Sequence, residues 1–361
     1  MEKEKNNRSS FSGKIGFVLS AAGASVGLGN IWRFPYLAAK YGGGIFLLIY
    51  ILLALTFGYT MIVAESALGR MTRKSPVGAF KAFGKKAGWL SFGGWINAII
   101  PVLIVPYYSV IGGWVIKYFV EYLKGNGAKL AEDGYFSKFI SNGLSTEICF
   151  IVFCMFTLII IYAGVRNGIE RVSKFMMPIL VVLSVIIAIY SVTRPGALAG
   201  VKYFLVPNPK NFSWMTVVTA MGQMFYSLSI AMGILVTFGS YMKKDTSIED
   251  STRNVEVFDT AIAIMAGLMI IPAVFAFSGG DPDTLQAGPS LMFITIPKVF
   301  DSMGFGTFAG ILFFLLVLFA AVTSSIALTE SAVSTVEDEL KWSRKKSTVI
   351  VGFIMIILGT L

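Results

Sequence analysis

Two stretches of this chain place glycines and polar side chains inside runs that are otherwise apolar, a combination suited to holding a small polar solute or ion. Residues 15–40 read IGFVLSAAGASVGLGNIWRFPYLAAK, with Gly23, Gly27 and Gly29 around Ser25 and Asn30. Each glycine inside a helix costs about 1 kcal/mol against alanine. In lipid, backbone groups freed by unwinding must find partners within the protein or in a water-filled cavity, so a broken span points to a binding site. On this stretch alone, a kinked helix packed closely through its glycines is an equal alternative. Residues 222–233, GQMFYSLSIAMG, repeat the pattern with Ser227, Ser229, Ala231 and Gly233. Half-helix amino termini present N–H groups and a positive dipole end to an anion, while unwound carbonyls face a cation. The cargo this chemistry implies is a zwitterion together with a metal ion.

The rest of the composition narrows the class. Of the 361 residues 55% are hydrophobic and only 14% charged, and the mean hydropathy is +0.74, which describes a polytopic membrane protein. The net charge of +10 sits in short loops between apolar runs, where Lys and Arg act as topology signals rather than as a nucleic-acid surface. The chain has no histidine. That removes the commonest general bases, His-ligated metals and serine or cysteine triads, so no enzyme is expected. Cys149 and Cys154 have neither a metal spacing nor a CxxC pattern and read as packing residues. No GxxxxGK[ST] motif is found, which argues against a nucleotide-driven pump.

The elements that must position these residues are apolar spans at about 15–39, 44–69, 89–122, 148–165, 174–193, 212–242, 257–279 and 306–336, with a last one opening at Ser347. All exceed the length of a barrel strand and are expected to be helices. The 70–88 loop carries Arg70, Arg73, Lys74, Lys81, Lys85 and Lys86 without an acidic residue, whereas 280–305 carries Asp281, Asp283 and Asp301 against Lys298. The positive-inside rule therefore puts the amino terminus and the 70–88 loop in the cytoplasm. The 123–146 connection reads as a solvated extracellular loop. The two broken spans are the first and the sixth, so they enter the membrane from opposite faces. That offset predicts an all-α, five-plus-five inverted-repeat transporter fold, one transmembrane domain over 1–361, with a first repeat at about 10–193 and a second at about 212–361. The second repeat is expected to be incomplete, with the fold truncated in the ninth helix.

The run AGASVGLGNIWRFPYLAAKYGGGIF, Tyr107 and Tyr108, GQMFYSLS, AAVTSSIAL and EDEL together resemble the neurotransmitter:sodium symporter family over essentially the whole chain. The sequence looks like a bacterial member similar to the leucine transporter. The resemblance implies two sodium ions. One would be held by the carbonyls of Gly23, Val26 and Ala320 and the hydroxyls of Thr323 and Ser324. The other would take the Ser25 carbonyl, Asn30, Ser227, Asp259 and the substrate carboxylate. Read without the resemblance, Thr323 and Ser324 are hydroxyls bonding back to their own helix, and Asp259 is an aspartate near a helix end, paired with Arg253 or solvated.

The same match implies that the substrate carboxylate sits on the N–H groups of Leu28 and Gly29 under the Tyr108 hydroxyl. The ammonium would face the carbonyls of Ser25, Tyr226 and Ser227 and the Ser229 hydroxyl. Ile104, Tyr226, Ala231, Met232, Ser324 and Leu328 would line the side-chain pocket, Ala231 narrowing it toward small or medium neutral amino acids. Arg33 is the expected outer gate, Arg8 with Asp338 the inner gate, and Glu65 a buried scaffold carboxylate. Glu330 has no assigned role and is expected to face a cytoplasmic water cavity. Chloride-dependent relatives have asparagine where Asp259 stands and serine where Ala263 stands, so chloride independence is expected.

These readings converge on sodium-coupled symport of a neutral amino acid into the cell by alternating access, in the cytoplasmic membrane. The alternative is a ligand-binding channel or receptor without coupled transport. The expected partners are the amino acid, sodium and the bilayer. The oligomeric state is left open by the sequence.

Overall fold

A computed structural model describes residues 9–82, 89–279 and 288–361. Arg8, Lys85, Lys86, Asp281 and Asp283, used above for a gate and for topology, lie outside the described residues. The described chain is helical. Its one β-type pairing among those residues is an isolated bridge between Gly43 and Pro207.

In chain order the helices are α1 (Lys14–Ser25), α2 (Gly29–Lys40), α3 (Gly44–Thr72), α4 (Pro76–Lys81), α5 (Leu90–Leu123), α6 (Gly127–Ala131), α7 (Tyr135–Ile140), α8 (Gly143–Tyr162) and α9 (Val165–Val192). The second half holds α10 (Ala197–Leu205), α11 (Trp214–Ser227), α12 (Ile234–Ser240), α13 (Ile248–Ser278), α14 (Ile296–Asp301), α15 (Gly306–Leu340) and α16 (Arg344–Thr360). Six of these, α3, α5, α8, α9, α13 and α15, are continuous and apolar enough to cross a bilayer, and α1 with α2 forms a seventh span bent by 52°.

Several span limits differ from the sequence reading. The run at 212–242 is two pieces, α11 and α12, too short separately to cross. Helix α13 begins at Ile248 rather than near 257, and α9 at Val165 rather than 174. Their first turns are polar, so apolar content marks only the stretch in the hydrocarbon, whereas backbone hydrogen bonding continues into the interface. The 123–146 connection is not simply solvated. It folds into α6 and α7, which bury Leu130, Phe136 and Phe139. Phe136 stacks on Phe293 at 5.2 Å with the rings 9° apart, and Tyr118 and Trp114 meet the same ring edge-on.

The centre is α15, buried along most of its length between α5, α9 and α1. Close approach there depends on small residues. A Cβ on Gly23 of α1 would lie 3.1 Å from the Thr323 Cβ of α15. Where α3 meets α12, a Cβ on Gly239 would come 2.4 Å from the Ser66 carbonyl oxygen. Without water between helices, such small-residue contacts supply the packing attraction that holds the spans together. In α5, Pro101 and Pro106 lie inside a helix that continues through them, as lipid-embedded helices tolerate when neighbours take up the freed carbonyls.

Candidate functional site

The breaks in the first and sixth spans meet. Helix α1 ends at Ser25, Val26 turns extended at φ −75°, ψ 92°, and helical bonding resumes at Gly29. Opposite it, α11 stops at Ser227 and α12 starts at Ile234. Between them Ser229, Ala231 and Gly233 take left-handed φ values of 55°, 61° and 70°. Two of these are not glycine, and each such residue costs on the order of 1 kcal/mol, so surrounding contacts must hold the segment open. One is the Ala231 N–H, which donates to Glu65 Oε1 at 2.8 Å.

The cavity at the breaks is about 30 Å³ and is lined by Ala24, Ser25, Gly27, Gly29, Asn30, Ile104, Tyr108, Tyr226, Ser227, Ser229, Met232, Ile234, Ser324 and Leu328. Most residues expected from sequence are therefore brought together. Leu28 lies behind the wall, its N–H donating to the Tyr108 hydroxyl at 3.2 Å. Ala231, expected to narrow the pocket, is absent from the lining, and its N–H donates to Glu65. Ala24, Gly27 and Ile234 line the cavity without having been anticipated. Gly27 carried a legible signal, because it belongs to the glycine pattern of the break. A Cβ there would stand 2.5 Å from Ser324 Oγ and 2.9 Å from the Tyr108 hydroxyl.

Two groups of oxygens flank the cavity. In the first, Ser324 Oγ lies 3.1 Å from the Ala24 carbonyl, 3.3 Å from that of Gly23 and 3.4 Å from that of Val26, while Thr323 Oγ1 bonds back to its own helix, 2.9 Å from the Phe319 carbonyl and 3.2 Å from that of Ala320. In the second, Asp259 is fully buried. Its carboxylate accepts from Asn30 Nδ2 at 2.8 Å, from Ser227 Oγ at 2.9 and 2.8 Å, and from the Tyr50 hydroxyl at 3.1 Å. The pairing of Asp259 with Arg253 or solvent is thereby excluded. Tyr50 was not anticipated, and no sequence signal near it points to Asp259. The Ser25 hydroxyl donates back to Ala21, which leaves its carbonyl as the group that can face the cavity. Among the described residues no three His, Cys, Asp or Glu side chains converge on one metal-sized position. The donors here are chiefly carbonyl, hydroxyl and amide oxygens, the set that suits a hard cation.

Arg33 stands above the cavity, its guanidinium 5.2 Å over the Tyr226 ring and donating to Gln223 Oε1 at 3.0 Å. Gln223 in turn donates to the Gly29 carbonyl, so it ties α11 to α2. A second cavity of about 350 Å³, lined by Leu28, Trp32, Arg33, Tyr107, Tyr108, Ile111 and Tyr226, opens on that side. Tyr108 and Tyr226 separate it from the smaller one.

On the opposite side, Asp338 accepts the Ser75 N–H at 2.6 Å, which caps the start of α4. Glu330 does not face a water cavity. It is fully buried and accepts from both terminal guanidinium nitrogens of Arg344, at 2.9 and 2.6 Å, and from the Tyr241 hydroxyl at 2.6 Å. Burial in lipid without such partners would be costly, and the sequence separation of fourteen residues across a helix end hid the pairing.

A model of the sodium:neurotransmitter symporter family matches residues 8–130 and 137–361. A sodium-dependent transporter of Bacillus subtilis is 37% identical over 352 residues, covering 97% of this chain and 77% of the relative. One from Haemophilus influenzae is 32% identical over 375 residues, covering 100% of this chain and 81% of the relative. The crystal structure of MhsT in complex with L-phenylalanine superposes with a TM-score of 0.88 at 36% identity, over 98% of this chain and 80% of that one.

Proposed function

The chain belongs to the sodium:neurotransmitter symporter family, a family of multi-pass, sodium-dependent membrane transporters and not of enzymes, and from that premise we propose that it couples inward sodium flux to uptake of a neutral amino acid. The observation that carries this reading is the meeting of the two helix breaks at a cavity flanked by two oxygen clusters, Gly23, Val26, Ala320, Thr323 and Ser324 on one side and Asn30, Ser227 and Asp259 on the other. Each cluster holds one sodium ion as cargo. A neighbour in the same fold was solved with L-phenylalanine, which supports an amino acid as the co-substrate.

The free N–H of Gly29 and the Tyr108 hydroxyl receive the substrate carboxylate, and the unwound carbonyls of Ser25, Tyr226 and Ser227 with the Ser229 hydroxyl receive the ammonium. Backbone dipoles serve both ends, so no side-chain charge has to be buried for recognition. The second sodium also meets the substrate carboxylate. Each binding event then lacks a ligand without the other, which is the coupling free energy of symport. One charge moving inward through 100 mV yields about 2.3 kcal/mol, roughly fiftyfold accumulation.

The cavity of about 30 Å³ is too small for an amino acid, so loading requires the walls to separate. Alternating access is the corresponding motion: α1, α2, α11 and α12 rock about their breaks, with Arg33 and Tyr226 closing one side and the Asp338 region the other. Asp259 supplies beside the ion the negative charge that chloride brings elsewhere, and Ala263 offers no hydroxyl to an anion. Transport is therefore chloride-independent. The protein works in the cytoplasmic membrane with its amino terminus inside, as one transporter domain of the inverted-repeat fold.

Uptake of a panel of labelled amino acids into proteoliposomes tests this. Accumulation above the outside concentration that collapses without a sodium gradient is expected. Equilibration to the outside level and no further would mean a channel and end the proposal.

A further inference from the structure

A third cavity lies away from the transport path, between the end of α9 and the start of α15. It holds about 300 Å³ and is lined by Ile186, Ile187, Tyr190, Arg194, Phe305, Phe308, Ala309 and Leu312. Among the described residues of that lining Arg194 supplies the only charge.

Three features make it more than a gap between lipid-facing helices. The Tyr190 hydroxyl donates to the Gly304 carbonyl at 2.6 Å, which fixes the ends of the two spans against one another. Phe305 is held at a left-handed φ of 63° with 85% of its surface exposed. A non-glycine residue in that conformation is strained, and its exposed ring stands in the wall of the crevice. Arg194 follows the last turn of α9, its guanidinium 4.4 Å over the Tyr190 ring and its Nε donating to the Tyr190 carbonyl. Among the described residues it makes no ion pair with a carboxylate. A cation two residues past a span lies at headgroup depth, with an apolar crevice running from it toward the bilayer interior.

We propose that this crevice binds one anionic phospholipid, its phosphate on the Arg194 guanidinium and one acyl chain between Ile187 and Phe308. A guanidinium matches a phosphate with paired N–H donors, and the walls below it present only apolar surface apart from the tyrosine. A zwitterionic lipid carries a second, positive group that gains nothing from Arg194. In the orientation proposed above the site lies in the outer leaflet. The site itself needs only that the protein spans a membrane, so it stands or falls separately from the transport reading.

The test is reconstitution into nanodiscs of mixed phosphatidylglycerol and phosphatidylcholine, partial delipidation, and mass spectrometry of the lipid that stays bound. The wild-type protein should retain phosphatidylglycerol over its bulk share by roughly fivefold, the worth of one cation near a membrane surface. Arg194→Gln should return the ratio to that of the bulk, and Arg194→Lys should keep most of the enrichment. Leu312→Trp, which fills the crevice, should remove the retained lipid, with an unchanged thermal midpoint in phosphatidylcholine showing that the fold survives. Equal retention of both lipids by the wild type overturns the proposal. So does phosphatidylglycerol enrichment that both Arg194→Gln and Leu312→Trp leave intact. A photo-crosslinker at Phe308 that captures protein instead of lipid would overturn it too, because the crevice is then an interface between copies.

Discussion

The Ser227 hydroxyl lies 2.9 and 2.8 Å from the two carboxylate oxygens of Asp259, so the last residue of α11 is tied to α13 at the point where the α11–α12 span unwinds. Both residues are buried. Any ion that enters must exchange places with these internal hydrogen bonds, which links the break in one helix to the charge on another.

Asp259→Asn is expected to lower sodium-driven uptake by more than tenfold, since it removes the fixed charge and an acceptor together. Adding Ala263→Ser, one helical turn along the same helix and likewise buried, should restore part of the uptake only in chloride. The wild type should transport equally in gluconate and chloride buffers. Loss of wild-type uptake on chloride removal would sink the proposed role of Asp259.

Tyr50→Phe removes the hydroxyl that donates to Asp259 Oδ2 and leaves the ring packed on Phe34, whose centroid is 4.9 Å away. The expected result is a weaker apparent sodium affinity by roughly ten- to a hundredfold, the range for a hydrogen bond to a charged group, with the fold intact. A sodium titration of uptake reads it directly. An unchanged half-saturating concentration would mean that Tyr50 serves packing alone.

Gly27→Ala and Gly29→Ala should each abolish uptake. The new methyl would meet Ser324 Oγ at 2.5 Å in the first case and the Tyr226 ring at 2.5 Å in the second. Binding of labelled amino acid to purified protein should fall along with uptake, which separates loss of the site from loss of the conformational cycle. Ala231→Gly is expected to behave oppositely. It relieves about 1 kcal/mol of left-handed strain, offset in part by glycine's larger unfolded-state entropy, and changes competition among amino acids little. A marked gain for bulky substrates in that variant would place Ala231 in the pocket wall.

Glu65→Ala should destabilise the unwound segment by about 1–3 kcal/mol, because the Ala231 N–H loses its acceptor. Glu65→Gln retains an oxygen at the same reach and should be close to wild type in thermal stability. Equal loss in the two variants would show that the charge, rather than the hydrogen bond, is what holds the segment.

Arg344→Ala leaves Glu330 buried without its cation, at an expected cost of about 3–5 kcal/mol. The double variant Glu330→Gln with Arg344→Gln should be milder than Arg344→Ala alone. Thermal unfolding in detergent measures all three. A double variant as unstable as the single one would mean that the pair contributes through shape and not through charge.

Length and hydropathy of the apolar runs settled that the chain is a helical membrane protein, because a bilayer core demands about 20 apolar residues whatever the neighbours are. The glycines and small polar residues of 15–40 and 222–233 settled where helices would break, since unwinding is a local backbone property. Pairings across the bundle are a different matter. Tyr50 on Asp259, Gln223 between Arg33 and Gly29, Arg344 on Glu330 and Ser75 on Asp338 join residues 14 to 263 positions apart. The bond from the Ala231 N–H to Glu65, made from a left-handed backbone, is likewise something that an apolar pattern does not encode. Hydropathy records the solvent each residue prefers. Which buried polar group meets which is decided only when packed helices leave a donor and an acceptor within 3 Å and no water between them.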